Sequence, residues 1–457
     1  MPVASLTRDL AAIVGEGNVL DGAAAPYGVD ATHDILRLRG VADAVVRPSD
    51  ADEVCQVLAW CYEREIPIIP RGGGTGYAGG AVPVEGGIVV SLERLTRVRS
   101  FEAQYWRAEL EAGLTTATVA RLARENGLLF APNPGAAEQS QLGGNVATNA
   151  GGPRAFKYGV TGRWVTGLEV AVAPGELVRV GGAVRKDVAS YDLRGLFVGS
   201  EGTLGIITSV WLRFVPAPER IASVCAFFED AVAGCAAIER VVGSGLEPAA
   251  LEYADGGVLD ACRAAYPGAL PDRARFLVLL ELDGSRDEVE RQRTEALEVL
   301  SDGAVDLVSP GDGAGERELW RWRAGMGPAV TTVTGGRVSE DVAVPPGRLG
   351  EIVAAIGEIA ARHGLPVCSL GHAGDGNVHA LFLIAPGDDD QLARAYQCSA
   401  ELCETALALG GTVSGEHGIG WIKRGRLERQ LGAAAGLHRA VKAALDPKNL
   451  LNPGKKT

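Results

Sequence analysis

Between Pro48 and about Pro216, short apolar runs alternate with stretches that carry their apolar residues at helical spacing. "ADEVCQVLAWCYERE" (51–65) has that spacing, and "IPIIP" after it is short enough for a strand. "GGIVVSL" (86–92) predicts a second strand, and "TTATVARLARENG" (115–127) predicts a helix stopped at Gly127. "WVTGLEVAVAPGELVRV" (164–180) predicts two strands joined by a Pro-Gly turn. After "FVPAPER" (214–220) the glycines thin out. "FFEDAVAGCAAIERVVGSG" and "SRDEVERQRTEALEVLSDG" predict amphipathic helices on either side of the strand "RFLVLLELDG" (275–284). This order predicts a separate α+β domain with helices on one sheet face, its boundary at Pro216 and Pro218.

Composition narrows the partners. The chain has 457 residues, 47% apolar and 22% charged, which suits a globular protein of two or three domains. A net charge of −13 argues against nucleic acid, whose binders concentrate Lys and Arg. The eight cysteines are scattered with no C-x-x-C pair, so neither a disulfide framework nor an iron–sulfur cluster is expected. The N-terminus lacks the basic lead and apolar core of a signal peptide. No uncharged run is long enough for a transmembrane segment, and the expected place is the cytoplasm.

"PRGGGTGYAGGAVPVEGG" (70–87) spells G-x-G-x-x-G at Gly74, Gly76 and Gly79. A dinucleotide-binding turn needs a helix directly after those glycines. Here Pro83, Gly86 and Gly87 follow and the next element is a strand, so that reading fails on context. The freedom of the loop to aim its amides at one anion survives the failure. Two more glycine-rich stretches, 132–165 and 198–216, offer backbone that a flat ligand could approach closely.

In "SLGHAGDGNVHALFLI" (369–384), Asp375-Gly376 between strand-like flanks predicts a two-residue hairpin turn. That register pairs His372 with His379, their Cβ atoms roughly 5 Å apart on one face. Glu416, beside His417 in "GTVSGEHGIG", is the third candidate ligand. Two His and one carboxylate suit Zn²⁺ best, and also Fe²⁺ or Mn²⁺. His417, beside that ligand, is then the candidate general base. His33, His363 and His438 read as surface or structural residues.

These motifs, in order from about residue 40 to "DPKNLLNPGK" (446–455), resemble the flavin-dependent oxidoreductases of the vanillyl-alcohol oxidase (PCMH) type. Within that type they are similar to the glycolate oxidase catalytic subunit and D-lactate dehydrogenase group. The resemblance implies an α+β protein with a PCMH-type FAD-binding domain at 1–218 and a substrate domain with an antiparallel sheet and the metal site at 219–425. A C-terminal segment, 426–457, would return to the flavin. It implies non-covalent FAD, since the loop holds neither the His nor the Cys of covalent relatives. The pyrophosphate loop would be Arg71, Gly72, Gly73, Gly74, Thr75, Gly76, Gly79 and Gly80. Pro134, Gly135, Gly143, Gly144, Asn145, Thr148, Gly151, Gly152, Tyr158 and Gly159 would line the cofactor. Glu201, Gly202, Ile206 and Asn452 complete the implied set.

The family pattern Leu-Trp-x-x-Arg falls on Leu319, Trp320 and Arg323, which makes Arg323 rather than Arg321 the expected clamp for a substrate carboxylate. The family's D-2-hydroxyglutarate enzymes carry a Lys where this chain has Ser339 and an Asn where it has Leu381. Their loss favours a monocarboxylate such as D-lactate or glycolate over D-2-hydroxyglutarate. Electrons would leave to an external acceptor, an iron–sulfur subunit, a cytochrome or a quinone, and the cytoplasmic protein could be peripheral to the inner membrane through a partner. A homodimer is compatible with the resemblance. Three other readings stand beside this one: a metallohydrolase, an ether-lipid synthase type without net oxidation, and a non-catalytic FAD-binding subunit. The first leaves the glycine segments unexplained, the second lacks its run of consecutive histidines, and the third does not explain the paired histidines.

Overall fold

A computed structural model describes residues 3–32 and 37–456. His33 lies outside them. The chain divides into two units, Met1–Gly151 with Val160–Ala217 and His417–Thr457, and Gly152–Gly159 with Pro218–Glu416. The second unit ends at Glu416 rather than at 425, and it takes in the short stretch 152–159 that sequence alone assigned to the first.

In the first unit, β1 (Val19–Asp21), β2 (Ala44–Val46), β3 (Ile68–Arg71) and β4 (Ile88–Ser91) form a sheet in the order β1-β2-β4-β3. β4 runs parallel to β2 and β3, because the helix Ala51–Glu63 carries the chain across from β2 to β3. Asp50 caps that helix by accepting from Glu53 N at 2.9 Å. No helix intervenes between β3 and β4, as the glycine spacing predicted. β5 (Val98–Glu102), β6 (Arg107–Glu111), β8 (Val165–Val172), β9 (Glu176–Gly181) and β10 (Ile206–Arg213) form an antiparallel sheet in the order β5-β6-β10-β8-β9; β7 (Leu128–Leu129) pairs β11 (Val215–Pro216). The C-terminal segment returns to this unit, where Asn452 N donates to Ile68 O at 2.7 Å.

The second unit is built on one antiparallel sheet of seven strands. They are β12 (Arg220–Phe228), β13 (Ala250–Asp255), β14 (Phe276–Gly284), β15 (Ala304–Val308), β16 (Arg337–Ala343), β17 (Val367–His372) and β18 (Asn377–Leu383), in the order β15-β12-β14-β13-β17-β18-β16. Helices cover both faces, not the single face expected. Gly234 of the helix Ala231–Gly243 sits on Phe276. On the opposite face Leu319, Trp322 and Met326 of the helix Gly313–Thr334 pack with Cys225, Leu277, Leu279 and Leu370. The reason is visible in β14, whose residues are apolar on both sides for most of its length, the pattern of a doubly covered strand.

That second face changes character along the strands. Pairings Ser223↔Glu281, Glu252↔His372 and His379↔Asp341 put these polar residues on the same side as the apolar cluster but toward one end. No described helix is long and apolar enough to cross a membrane.

A Cβ at Gly234 would stand 2.0 Å from Phe276 Cδ1. Gly234→Ala should therefore destabilise by about 1–3 kcal/mol through overpacking, although alanine is intrinsically the better helix former by about 1 kcal/mol. A denaturation midpoint equal to or above that of the wild type would contradict this packing.

Candidate active site: a glycine loop and a histidine hairpin

In the first unit, the glycine loop leaves β3 with Arg71 turned inward. Its guanidinium donates to Pro26 O at 2.6 Å and Val29 O at 2.7 Å, so it braces the loop through neighbouring carbonyls. A Cβ on Gly73 would lie 2.0 Å from Gln139 O, and one on Gly72 would lie 3.3 Å from Gly144 Cα. Backbone thus meets backbone, and the first two glycine-rich stretches of the sequence come together. The helix Leu142–Thr148 supplies Gly143, Gly144, Asn145 and Thr148. Asn145 Nδ2 donates to Thr116 Oγ1 at 2.6 Å and Thr148 Oγ1 to Gly144 O at 3.1 Å.

Among the described residues, the amides of Gly73, Gly74, Thr75 and Gly76 donate to no protein acceptor. No atom stands within 4 Å of a Cβ built on Gly76 or Gly135, the latter following Pro134. Unpaired amides beside room that a side chain would fill suit a phosphate-bearing, flat ligand.

The far side of the loop is held by the C-terminal segment. Asn452 Nδ2 donates to Gly80 O at 3.0 Å and Glu201 O at 2.7 Å, while Lys455 Nζ donates to Gly80 O, Val82 O and Asn452 Oδ1 at 3.0, 2.7 and 2.7 Å. Glu201 accepts from Ile419 N at 2.9 Å and Gly420 N at 2.6 Å. Gly202 adopts φ +72 just before β10 opens at Ile206. The side chains of Glu201 and Asn452 therefore fasten chain to chain around the loop. Lys455, which the sequence reading passed over, joins them through the Asn-Pro-Gly-Lys ending. Gly79 sits at φ +74, a backbone conformation that strains any side chain, with Trp421 Cβ 3.2 Å from where a Cβ would stand. The His417 ring lies 4.9 Å from that of Tyr77 in the same loop.

In the second unit, Gly152, Tyr158 and Gly159 belong to the stretch that binds β14, whereas Gly151 ends the segment before it. Arg154 Nε donates to Glu281, Lys157 Nζ to Asp283 and Tyr158 OH to Asp283, each at 2.6 Å. Burial and the Asp283 carboxylate push the Tyr158 phenol well above its ordinary range.

The hairpin departs from the expected register. Its turn is a short 3-10 helix, Ala373–Asp375, closed by Gly376 at φ +74, so His372 pairs Asn377 and Leu370 pairs His379. The histidines are diagonal neighbours instead of directly opposed. A slip of two preserves the face, and their ring centroids are 5.4 Å apart. Glu416 Oε1 lies 3.5 Å from His372 Nε2 and 3.3 Å from His379 Nε2. One ligand atom from each of the three falls within 4.8 Å of the others. Two imidazole nitrogens and a carboxylate oxygen with open positions fit a divalent ion of the Zn²⁺, Fe²⁺ or Mn²⁺ kind.

Carboxylates surround these ligands. Asp341 Oδ2 accepts from Glu416 N at 3.0 Å and Ser414 Oγ at 2.9 Å, and Oδ1 accepts from Asn377 Nδ2 at 2.7 Å. The fully buried Glu252 lies 2.7 Å from His372 Nδ1 and accepts from Arg323 Nε at 2.9 Å. Burial alone would raise the Glu416 carboxyl, but His372 and His379 bring it well below its usual range. Burial would likewise lower His372, and Glu252 with Glu416 outweighs it, so the imidazole favours its cation unless a metal replaces the proton. Arg321 is exposed, while Arg323 is buried among these groups. His363 pairs with Glu401 at 2.8 Å and His438 with Lys456 O at 2.8 Å. Glu252 was legible only as one charge inside the apolar run "AALEYA".

Comparison with known proteins adds the family. Residues 42–181 match the FAD binding domain and residues 217–456 the C-terminal domain of FAD linked oxidases. The chain is 37% identical over 434 residues to the glycolate oxidase subunit GlcD of Bacillus subtilis, covering 94% of this chain and 91% of that one. It is 35% identical over 438 residues to a D-lactate dehydrogenase of Archaeoglobus fulgidus, covering 94% and 95%. In structure it is similar to substrate-bound p-cresol methylhydroxylase, with a TM-score of 0.82 at 19% identity over 99% of this chain and 96% of that one.

Gly73→Ala forces the loop off Gln139 and should lower FAD affinity at least about tenfold, since backbone approach is lost there. The ratio of flavin to protein absorbance after gel filtration measures this; full flavin content would contradict the close approach.

Proposed function

This chain belongs to the FAD-linked oxidases, and on that premise we propose that it oxidises a small 2-hydroxy acid, D-lactate or glycolate, to the 2-oxo acid. The observation that carries the reading is the set His372, His379 and Glu416, with Arg323 joined to it through Glu252 on one buried sheet face. Its relatives named glycolate oxidase subunit and D-lactate dehydrogenase support the substrate class.

When bound, FAD accepts the hydride from the substrate carbon and a divalent metal, Zn²⁺ by preference, acidifies the substrate hydroxyl. His372, His379 and Glu416 would hold the metal. The glycine loop and the helix Leu142–Thr148 would hold FAD. Arg323 has Nε and Nη2 on Glu252, which leaves Nη1 to orient the substrate carboxylate. His417, the residue after Glu416, takes the hydroxyl proton.

Specificity for a monocarboxylate rests on Ser339 and Leu381, which pair directly across β16 and β18 on the His379 face. Leu381 is part of the apolar cluster, so neither position brings a cation or an amide to a second carboxylate. An external acceptor would be needed for the electrons that bound FAD takes up. The Bacillus subtilis relative is a glycolate oxidase subunit, which supports a partner chain for that step.

His417→Ala should keep its FAD and lose about 10²–10⁴-fold in the rate of anaerobic flavin reduction by substrate. Undiminished reduction would remove His417 as the base. His379→Ala should lower metal content by elemental analysis and turnover together, whereas full turnover of chelator-stripped protein would contradict the metal's part.

A further inference from the structure

Glu252 stands in the middle of β13 with no solvent exposure, between an imidazole and a guanidinium. Its Oε1 lies 2.7 Å from His372 Nδ1, and its Oε2 lies 2.9 Å from Arg323 Nε and 2.5 Å from Nη2. An ionised carboxylate only accepts, so Nδ1 of His372 carries a proton toward Glu252, which leaves Nε2 as the nitrogen that would face a metal on the Glu416 side. Nδ1 of His379 lies 3.6 Å from Asp341 Oδ1.

The bland account is a core ion pair that anchors the helix Gly313–Thr334. A buried pair of this kind is often no more stabilising than well-packed apolar side chains. The helix also has other anchors: Trp320 Nε1 donates to Ser223 Oγ at 3.0 Å and Trp322 Nε1 to Cys262 O at 3.0 Å. What these anchors do not provide is orientation of the His372 ring.

We propose that Glu252 is a positioning residue that sets His372 and Arg323 from one carboxylate, so that the metal ligand and the substrate cation keep a fixed separation. This rests on the function proposed above, which gives His372 to the metal and Arg323 to the substrate. Buried carboxylates behind metal-ligating histidines commonly change metal affinity 10–100-fold when removed. Here the same carboxylate also restrains the group that meets the substrate. The glutamine amide of Glu252→Gln has one oxygen to accept with and an N–H₂ that opposes the other donor.

The test uses the flavin-loaded protein after chelator treatment, titrated with Zn²⁺ against a chromophoric chelator and separately with Co²⁺. Glu252→Gln should weaken Zn²⁺ binding about 10–100-fold, alter the visible Co²⁺ bands and raise KM for the hydroxy acid more than it lowers kcat. Its flavin content should match the wild type. Glu252→Asp keeps the charge one methylene short and should recover part of the affinity. It also carries the test if the glutamine variant does not fold. Trp322→Phe loosens the same helix without touching Glu252 and should leave Zn²⁺ affinity unchanged. Wild-type Zn²⁺ affinity in Glu252→Gln, or an equal loss in Trp322→Phe, would overturn the positioning role and leave the metal site standing. A wild-type protein that takes up neither ion would overturn the metal site itself, and this role with it.

Discussion

A carboxylate with no exposure is tolerable only beside positive charge, and Glu252 imposes that condition on the second unit. Burial would push its carboxyl up, and His372 with Arg323 brings it below the ordinary range instead. To satisfy it, β17 must present His372 at the matching position of the register, and the helix Gly313–Thr334 must deliver Arg323 from the side. Once both are in place, the same sheet face carries His379 two strands from Glu252 and Asp341 on the next strand, and Asp341 fixes the backbone of Glu416. The meeting of His372, His379 and Glu416 is therefore a consequence of strand register plus one buried charge.

The first unit answers a different constraint. An anion site made of backbone amides needs the chain to stay open, which small residues permit and hydrogen bonds from behind must stabilise. Lys455, Asn452 and Glu201 provide those bonds, all from segments distant in sequence. The closing stretch of the chain thus supports the glycine loop from behind.

Much of this was legible beforehand where one local signal sufficed. The prolines and glycines after Gly79 ruled out a helix, and β4 follows the loop as they required. The hairpin face was legible because period-2 alternation survives a slip of two, while the turn was not. Asp375-Gly376 reads as a two-residue turn, but Gly376 instead closes a 3-10 turn in the left-handed region. Helices on both faces were missed because an apolar run such as β14 does not say how many layers cover it. Glu252, Asp283 and Lys455 were missed for a shared reason: each is explained by a partner more than a hundred residues away, His372 in the case of Glu252.

The most direct measurement is an anaerobic visible spectrum of the purified flavoprotein before and after D-lactate, with glycolate and D-2-hydroxyglutarate in parallel. The account predicts that the oxidised-flavin band bleaches with at least one of the two monocarboxylates and far more slowly with the dicarboxylate. A flavin band that neither monocarboxylate bleaches, in protein shown to hold its metal, would contradict it.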